Sequence, residues 1–176
     1  MAYKKKTKKN LNKAEELTLA KQQWDCYTRA RDHGHEEYVE MAQKCDAYYR
    51  GQQWDDFDMQ QLDDQGRPAL TINTILPTIN AVLGEQSTKK ADIQFKPRGG
   101  GNQEVADVLT MVYQQIADNN KLDWIENQVF SDGLIQDRGW FDVRIDFSDH
   151  IRGEVRIESK DPLDILIDPD AKHYDP

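Results

Sequence analysis

Apolar residues recur every three or four positions from Leu11 onward, which is the spacing of amphipathic α-helices. Gly34 interrupts this pattern and it restarts at Tyr38, so two helices are predicted to meet near residues 33–35. The second helix is predicted to end near residues 49–51, where a glycine suits a C-cap. The apolar positions of the first helix are Leu17, Ala20, Trp24 and Tyr27.

The middle of the chain alternates between polar and helical stretches. Residues 52–68 are rich in Asp and Gln, so they are predicted to form a loop. Residues 69–72 are short and extended, and a helix capped near Asn73 or Thr74 follows, with Pro77 tolerated in its first turn. The apolar face of this helix is formed by Ile75, Ile79, Val82 and Leu83.

Two further helices are predicted after a brief strand at residues 93–95 and a flexible connector at residues 99–101. The first runs over about residues 103–119, and Asn119 and Asn120 break it before the second begins. The predicted inward positions are Val105, Val108, Leu109, Val112 and Ile116 in the first helix, and Leu122, Ile125, Val129 and Phe130 in the second.

From Gly139 the apolar period changes to two, which is typical of strands with one buried and one solvated face. Residues 139–147 and 154–160 predict a hairpin, and residues 163–167 predict a third short strand. Helices come first and strands follow among helices, which indicates the α+β class. We expect N-terminal helices followed by helices packed on a small antiparallel sheet. The apolar hairpin positions are Phe141, Val143, Ile145, Phe147, Val155 and Ile157.

The chain is acidic, with a formal net charge of −9, a pI near 4.9 and a mean hydropathy of −0.88. Such a surface repels duplex DNA, because DNA binding relies on Lys and Arg replacing counterions. The basic charge is concentrated in residues 1–10, which are predicted to be a flexible tail. Residues 11–60 are predicted to be a helical N-terminal segment, and residues 61–176 an α+β region.

The sequence favours a reducing, intracellular compartment. Cys26 and Cys45 lie in a region predicted to be helical and do not form a disulfide framework. The basic start is not followed by an apolar h-region, which argues against a secretory signal. No apolar run reaches the length needed to span a bilayer. We therefore expect a soluble protein.

Several short motifs follow one another along the chain. They are Tyr48–Trp54, Gly66–Asn73, Gly84–Gln86, Gly139–Val143, Asp161-Pro162 and Ile167–Lys172. Each one alone predicts a turn, a helix end or a strand entry. Together and in this order they resemble the portal proteins typified by phage P22, over roughly residues 48–175, whereas residues 1–45 add no specific motif. The positions carried over, in structural and not catalytic roles, are Gly66, Arg67, Pro68, Asn73, Gly84, Glu85, Gln86, Asp168, Pro169 and Asp170.

The resemblance implies part of the wing region of a portal subunit, because members of this family are several times longer. It implies a structural protein and not an enzyme, with no cofactor or metal, that forms a homo-oligomeric ring, expected to be a dodecamer. The ring would sit at a capsid vertex of the virion after assembly in the host cytoplasm. Implied partners are capsid and scaffolding proteins and non-specifically passing double-stranded DNA. Terminase and a tail adaptor would bind through regions outside this chain, and no membrane is implied.

Two alternative functions stay open. Glu158-Ser159-Lys160 has the spacing of the PD-(D/E)xK nucleases, in which acidic groups hold Mg²⁺ and the lysine orients the attacking water. Asp142 on the paired strand would supply the second acid, on the same face as Glu158 and Lys160. Alternating charges on a solvated strand give the same pattern without any catalysis. The other alternative is a small phage head–tail adaptor, which is also structural.

Two clusters contain residue types that bind metals. They are His33 with His35 and Glu36, and Asp164 with Asp168 and Asp170. Neither has the spacing of a zinc finger or an EF-hand loop, so a solvated helix end and a turn account for them. The chain contains no Gly-x-Ser-x-Gly elbow. Residues 99–101 lack the Gly-Lys-Ser/Thr of a phosphate-binding loop.

Overall fold

The computed structural model describes residues 13–89, 91–148 and 151–170. The predicted basic tail, residues 1–10, lies outside the described residues. The described helices are α1 (Lys13–Ala30), α2 (Glu36–Tyr49), α3 (Asp56–Asp64), α4 (Ile75–Thr88), α5 (Gln103–Asn120) and α6 (Leu122–Gln136). The described strands are β1 (Trp140–Asp146) and β2 (Glu154–Lys160), and a 3-10 helix spans Pro162–Asp164.

This element order confirms the predicted α+β class, because helices precede and pack on a small antiparallel sheet. The described residues divide into two compact units. One contains residues 13–39 and 166–170, and the other contains residues 40–165. All helices from α3 onward and both strands belong to the second unit.

In the first unit, α1 ends in a kink, which confirms the predicted junction near residues 33–35. His33 has φ −110° and ψ 76°, and Gly34 has φ 105°, a left-handed value that favours glycine. Just before the kink, Arg31 Nε donates to Asp32 Oδ1 at 2.8 Å, and its guanidinium lies 5.9 Å from the centroid of the Tyr27 ring. Helix α1 therefore passes into α2 through a local change at two residues, without a loop.

Helix α2 ends in a glycine-dependent cap. Gly51 has φ 86°, its N–H donates to Tyr48 O at 3.0 Å, and the N–H of Gln52 donates to Ala47 O at 2.8 Å. These two bonds form a Schellman motif, which satisfies carbonyls that the helix leaves free. The predicted end of this helix near Gly51 is confirmed.

The predicted loop over residues 52–68 is wrong, because helix α3 lies within it. Its first turn contains two aspartates, whose charges favour a helix N-terminus. A second Schellman motif ends it, with Gly66 at φ 65° and the N–H of Arg67 donating to Leu62 O at 2.9 Å. Helix α3 contains no buried residue. The sequence therefore indicates this helix only by the aspartates at its start and the glycine after its end, and not by an apolar stripe.

Two predicted strands are also wrong, because the described sheet contains β1 and β2 alone. Residues 93–95 are irregular, and the N–H of Phe95 donates to Thr110 Oγ1 on α5 at 3.1 Å. Residues 163–167 begin in the 3-10 helix, where Asp161 Oδ1 accepts from a backbone N–H at 2.9 Å and Pro162 is fully buried. Neither segment has a partner strand in the described chain, and a strand requires one.

The hairpin itself forms as predicted, with Val143 opposite Ile157 and Asp142 opposite Glu158. Helix α6 contacts β2 and α4, and α5 contacts α6 and β2. The buried apolar residues of the second unit lie on helices and not on the sheet. They are Ala42, Ala106, Ile125 and Val129, together with Pro162 in the 3-10 helix. The predicted inward positions Ile125 and Val129 are thus confirmed, whereas Phe130 is exposed.

The end of α5 is fastened to the outer edge of β2 by the side chain of Asn120. Its Nδ2 donates to Val155 O at 2.9 Å and to Ile116 O at 2.8 Å, and its Oδ1 accepts from Ile157 N at 3.0 Å. Lys121 then adopts a left-handed conformation, with φ 52° and ψ 48°, and α6 begins directly after it. The side-chain amide of Asn120 therefore bonds at two backbone positions where a third strand would otherwise pair.

The start of β1 lies against α6 because residue 139 is a glycine. A Cβ atom on Gly139 would lie 2.2 Å from Val129 O and 2.9 Å from Val129 Cγ1, closer than real Cβ atoms approach such neighbours. The glycine that precedes the aromatic residues of β1 thus permits direct contact between the strand entry and the helix backbone.

We expect Gly139→Ala to lower the free energy of unfolding by about 1–3 kcal/mol, because the added methyl group would overlap the α6 backbone. Gly133→Ala is the matched control. It lies on α6, where the nearest atom that an added Cβ would meet is Gly139 N at 3.9 Å, and alanine has a higher helix propensity than glycine. Urea unfolding of both variants measures the difference. A Gly139→Ala protein as stable as the wild type would contradict the close approach.

We expect Asn120→Ala to lower the free energy of unfolding by about 1–3 kcal/mol, because Val155 O and Ile157 N lose their partner. The amide of Ile157 should also exchange with solvent faster, as measured by hydrogen–deuterium exchange. Asn119→Ala is the control, since it makes the same change one residue earlier on α5. Equal stability losses in the two variants would show that the amide of Asn120 does not hold the sheet edge.

Candidate functional site

The motif residue Asn73 links two helices. Its Nδ2 donates to Tyr49 O at the end of α2 at 2.8 Å, and its Oδ1 accepts from Ile75 N and Leu76 N at the start of α4, each at 3.1 Å. A Cβ on Gly51 would lie 3.3 Å from Asn73 Nδ2, so the Gly51 cap leaves room for this amide. The helix cap predicted at Asn73 or Thr74 is confirmed, and its side-chain bonds come from Asn73.

The motif Gly84-Glu85-Gln86 lies inside α4. Glu85 pairs with Lys89 one turn later, and a Cβ on Gly84 would meet nothing within 4 Å. Gln86 lines a groove between α4 and α6, and its Oε1 is buried without a hydrogen-bond partner among the described residues. The groove is also lined by Val129, Phe130, Gly133, Leu134 and Phe141. This motif therefore presents a side-chain amide where α4 faces α6.

The remaining motif residues occupy turns. Gly66 and Arg67 form the cap of α3, followed by Pro68. In the first unit, the N–H of Asp170 donates to Asp168 Oδ1 at 3.0 Å across Pro169, and Arg29 NH1 lies 3.2 Å from Asp170 Oδ2. The motif residues thus serve separate helix ends and turns, and they do not converge on one catalytic centre.

The polar face of the hairpin brings together the residues of the nuclease hypothesis. Asp142 and Glu158 are cross-strand neighbours, and Lys160 Nζ lies 3.5 Å from Asp142 Oδ2 and 3.4 Å from Glu158 Oε2. Arg144 lies between the two acids, bonded to Asp142 and 2.9 Å from Glu158 Oε2. The predicted shared face is therefore correct. Sequence reasoning missed the role of Arg144, which pairs with Asp142 on its own strand and with Glu158 on the facing strand.

These contacts shift the pKa values of the hairpin. The hydrogen bond from Arg144 lowers the pKa of Glu158, and the hydrogen bond to Asp142 raises the pKa of the Arg144 guanidinium. At the end of β1, the Ser148 hydroxyl and N–H donate to Asp146 Oδ1 and lower the pKa of that carboxyl. These three shifts favour the charged forms of Arg144, Asp146 and Glu158.

The pKa of one carboxyl outside this face, that of Asp132, is shifted in the opposite direction. Burial raises the pKa of Asp132 on α6, although Gln128 Nε2 donates to its Oδ1 at 2.9 Å. The charge of Asp161 adds to the rise. Asp132 lines a cleft of α6 together with Trp124 and Pro162. This shift follows from partial desolvation and a like charge, which disfavour the ionised form.

The apolar face of the hairpin is uncovered in the described chain, so the prediction that it is buried is wrong. Phe141, Val143, Ile145 and Phe147 are 48%, 64%, 60% and 63% exposed. Helices α5 and α6 contact β2 and its outer edge, and this placement leaves most of the β1 side chains without cover. The predicted apolar stripe of α5 is likewise exposed at Val105, Val108, Leu109 and Val112.

The two clusters of metal-binding residue types are interpreted from the sequence as a solvated helix end and a turn. His33 and His35 lie in the kink after α1, where the His35 ring is 6.4 Å from that of Tyr38. Within residues 13–89, 91–148 and 151–170, the side chains do not form a group of three or more His, Cys, Asp or Glu that could hold a metal ion. In the same part of the chain, every helix is too short or too polar to cross a membrane.

Exposed apolar faces on a strand and a helix are typical of a protein that presents interaction surfaces to other proteins. A family model described as phage P22-like portal protein matches residues 24–176. Because this match covers most of the chain, the chain belongs to the phage P22-like portal protein family. The match begins at Trp24, so it includes the last seven residues of α1, where the sequence showed no specific motif. No curated protein matches the chain.

The family is structural, forms oligomeric rings associated with the capsid, and is a component of the virion. The predicted resemblance is therefore confirmed. The surfaces described above are consistent with a structural role, because carboxylates of the hairpin are paired and apolar side chains are exposed for contact.

We expect Arg144→Gln to raise the pKa of Glu158 toward its ordinary value near 4.5, because the carboxylate loses its main hydrogen-bond donor. Since folding lowers the pKa of Glu158, the contact stabilises the fold at pH values above the pKa that Glu158 has in the unfolded state. That stability is lost as the pH falls through the folded-state pKa. Carbon-detected NMR titration of the Glu158 carboxyl measures the shift. Arg156→Gln is the control, since Arg156 pairs with Asp146. A Glu158 titration that is identical in wild type and Arg144→Gln would refute the assignment.

Proposed function

We propose that this chain is a structural subunit of a phage portal ring at the capsid vertex, through which DNA enters during packaging and leaves during ejection. The observation that carries the proposal is the family match over residues 24–176. The exposed apolar faces of α5 and β1 support it, because a closed ring covers such faces between neighbouring subunits. In this proposal the ring is a dodecamer.

The proposed mechanism is geometric and electrostatic. A net charge of −9 gives each subunit a surface that binds the phosphate backbone weakly, because its 32 Asp and Glu outnumber the 23 Lys and Arg that could displace counterions. A ring of such subunits would let a duplex slide without specific attachment. Capsid and scaffolding proteins would hold the ring in place, and terminase and tail factors would dock on it.

The hairpin supports a structural over a nucleolytic use of its charges. A metal-dependent nuclease needs carboxylates that are free to bind Mg²⁺. Here Arg144 and Lys160 each pair with both Asp142 and Glu158, and the Arg144–Glu158 and Lys160–Asp142 pairs join the two strands. Cross-strand pairs of this kind stabilise a hairpin modestly. They give Glu158 and Lys160 a role that needs no chemistry.

We expect the full-length protein to assemble into closed rings, visible by negative-stain electron microscopy and countable by mass photometry. A protein that stays monomeric at high concentration would refute the proposal. The same preparation, incubated with duplex DNA and Mg²⁺, should leave the DNA intact, and Glu158→Ala should behave identically. Cleavage that requires Mg²⁺ and disappears in Glu158→Ala would instead support the nuclease.

A further inference from the structure

The two edges of the β1–β2 sheet differ in their hydrogen bonding, because the β2 edge is bonded to a side chain of α5. Asn120 bonds to Val155 O and Ile157 N, so these groups point away from β1. In an antiparallel pair, residues opposite such positions also point away from their partner strand. Val143 is opposite Ile157, and Ile145 is opposite Val155. The N–H and C=O groups of Val143 and Ile145 therefore face the free edge of β1.

The free edge of β1 lacks the features that usually protect an edge strand. Such edges are commonly blocked by lysine, proline or a bulge. Residues 140–146 contain neither lysine nor proline, and their register with β2 is regular along the whole strand. The charges of Asp142 and Arg144 are paired with each other on the polar face. The edge is thus open to another strand, and a two-stranded sheet gains stability from one.

The same edge carries the apolar face described above. Phe141, Val143, Ile145 and Phe147 together expose on the order of 400 Å² of side chain, which is the size of a patch that marks an interaction site. Backbone groups and apolar side chains are therefore offered at one place. A strand that paired with β1 would cover both.

A second segment has the complementary property. Residues 91–95 have the alternation of a strand but pair with no strand in the described chain. Ile93 and Phe95 are exposed, at 51% and 42%. The N–H of Phe95 donates to Thr110 on α5, which anchors one side of the segment.

We propose that, between neighbouring copies of this chain, residues 91–95 of one copy add to the free edge of β1 of the next, which extends the sheet across the subunit boundary. This inference rests on the proposed ring. A ring requires a heterologous contact, in which two different surfaces of the same chain meet. The free edge of β1 and residues 91–95 are two different surfaces of this kind on one chain. Addition of a strand to a sheet edge is an established mode of recognition.

The first test uses two substitutions that place a charge on either side of the contact. In the full-length protein, Val143→Lys and Ile93→Lys should each abolish the ring species in mass photometry, with the monomer still folded by circular dichroism. Ile151→Lys is the matched control, because Ile151 is 100% exposed in the hairpin turn, outside both segments. Rings that form normally in both variants would overturn the inference. Absence of rings in the wild-type protein would instead refute the proposed function.

The second test does not depend on how well the lysine variants fold. Cys26 and Cys45 are replaced by serine, and cysteines are introduced as Val143→Cys and Ile93→Cys, each at the centre of its segment. Facing residues on paired strands lie within disulfide reach. Oxidation of assembled protein should give covalent multimers on non-reducing gels. The two single-cysteine proteins, mixed, should give dimers.

The cross-linking results show whether the β1 edge pairs with residues 91–95 of another copy, with those of the same chain, or with neither. A cross-link confined to the monomer would show that a chain pairs with its own segment, which overturns the inference. Intact rings that give no cross-link at all would do the same. Multimers that depend on both cysteines support it, and the single-cysteine proteins alone control for non-specific oxidation.

Discussion

The second unit depends on one side-chain amide, that of Asn120, at the outer edge of β2. Backbone groups of an edge strand need partners, and a two-stranded hairpin alone is marginally stable in water. Asn120 provides those partners from the end of α5, and the left-handed residue that follows it turns the chain straight into α6. The helices are thereby fixed to one edge of the hairpin, and no strand within the described part of the chain pairs with the other edge.

This arrangement decides how the two faces of the hairpin are used. The acidic side chains of the polar face are paired within the hairpin, because Arg144 and Lys160 each form ion pairs with both Asp142 and Glu158. The apolar face is not covered by the helices that hold the edge. For a member of a structural, ring-forming family, an uncovered apolar face next to a neutralised polar one is suited to contact between subunits.

The prediction succeeded where a local signal was sufficient. The kink at Gly34 and the cap at Gly51 follow from backbone conformations that glycine adopts readily, and the hairpin follows from a period of two. It failed where the signal was weak or depended on distant residues. Helix α3 has end signals without an apolar stripe. Residues 93–95 look like a strand, yet strand pairing requires a partner that the described chain does not supply.

The sequence by itself determined the α+β class, most helix ends, the shared face of Asp142, Glu158 and Lys160, and the family, because caps, periodicity and short motifs act over a few residues. Only the tertiary structure decided that Asn120 closes the β2 edge and that Arg144 neutralises the acids. It alone showed that Gly139 is required by contact with Val129 and that the apolar hairpin face is open. These features join residues far apart in the chain, and their geometry depends on how helices and strands pack, which no local pattern specifies.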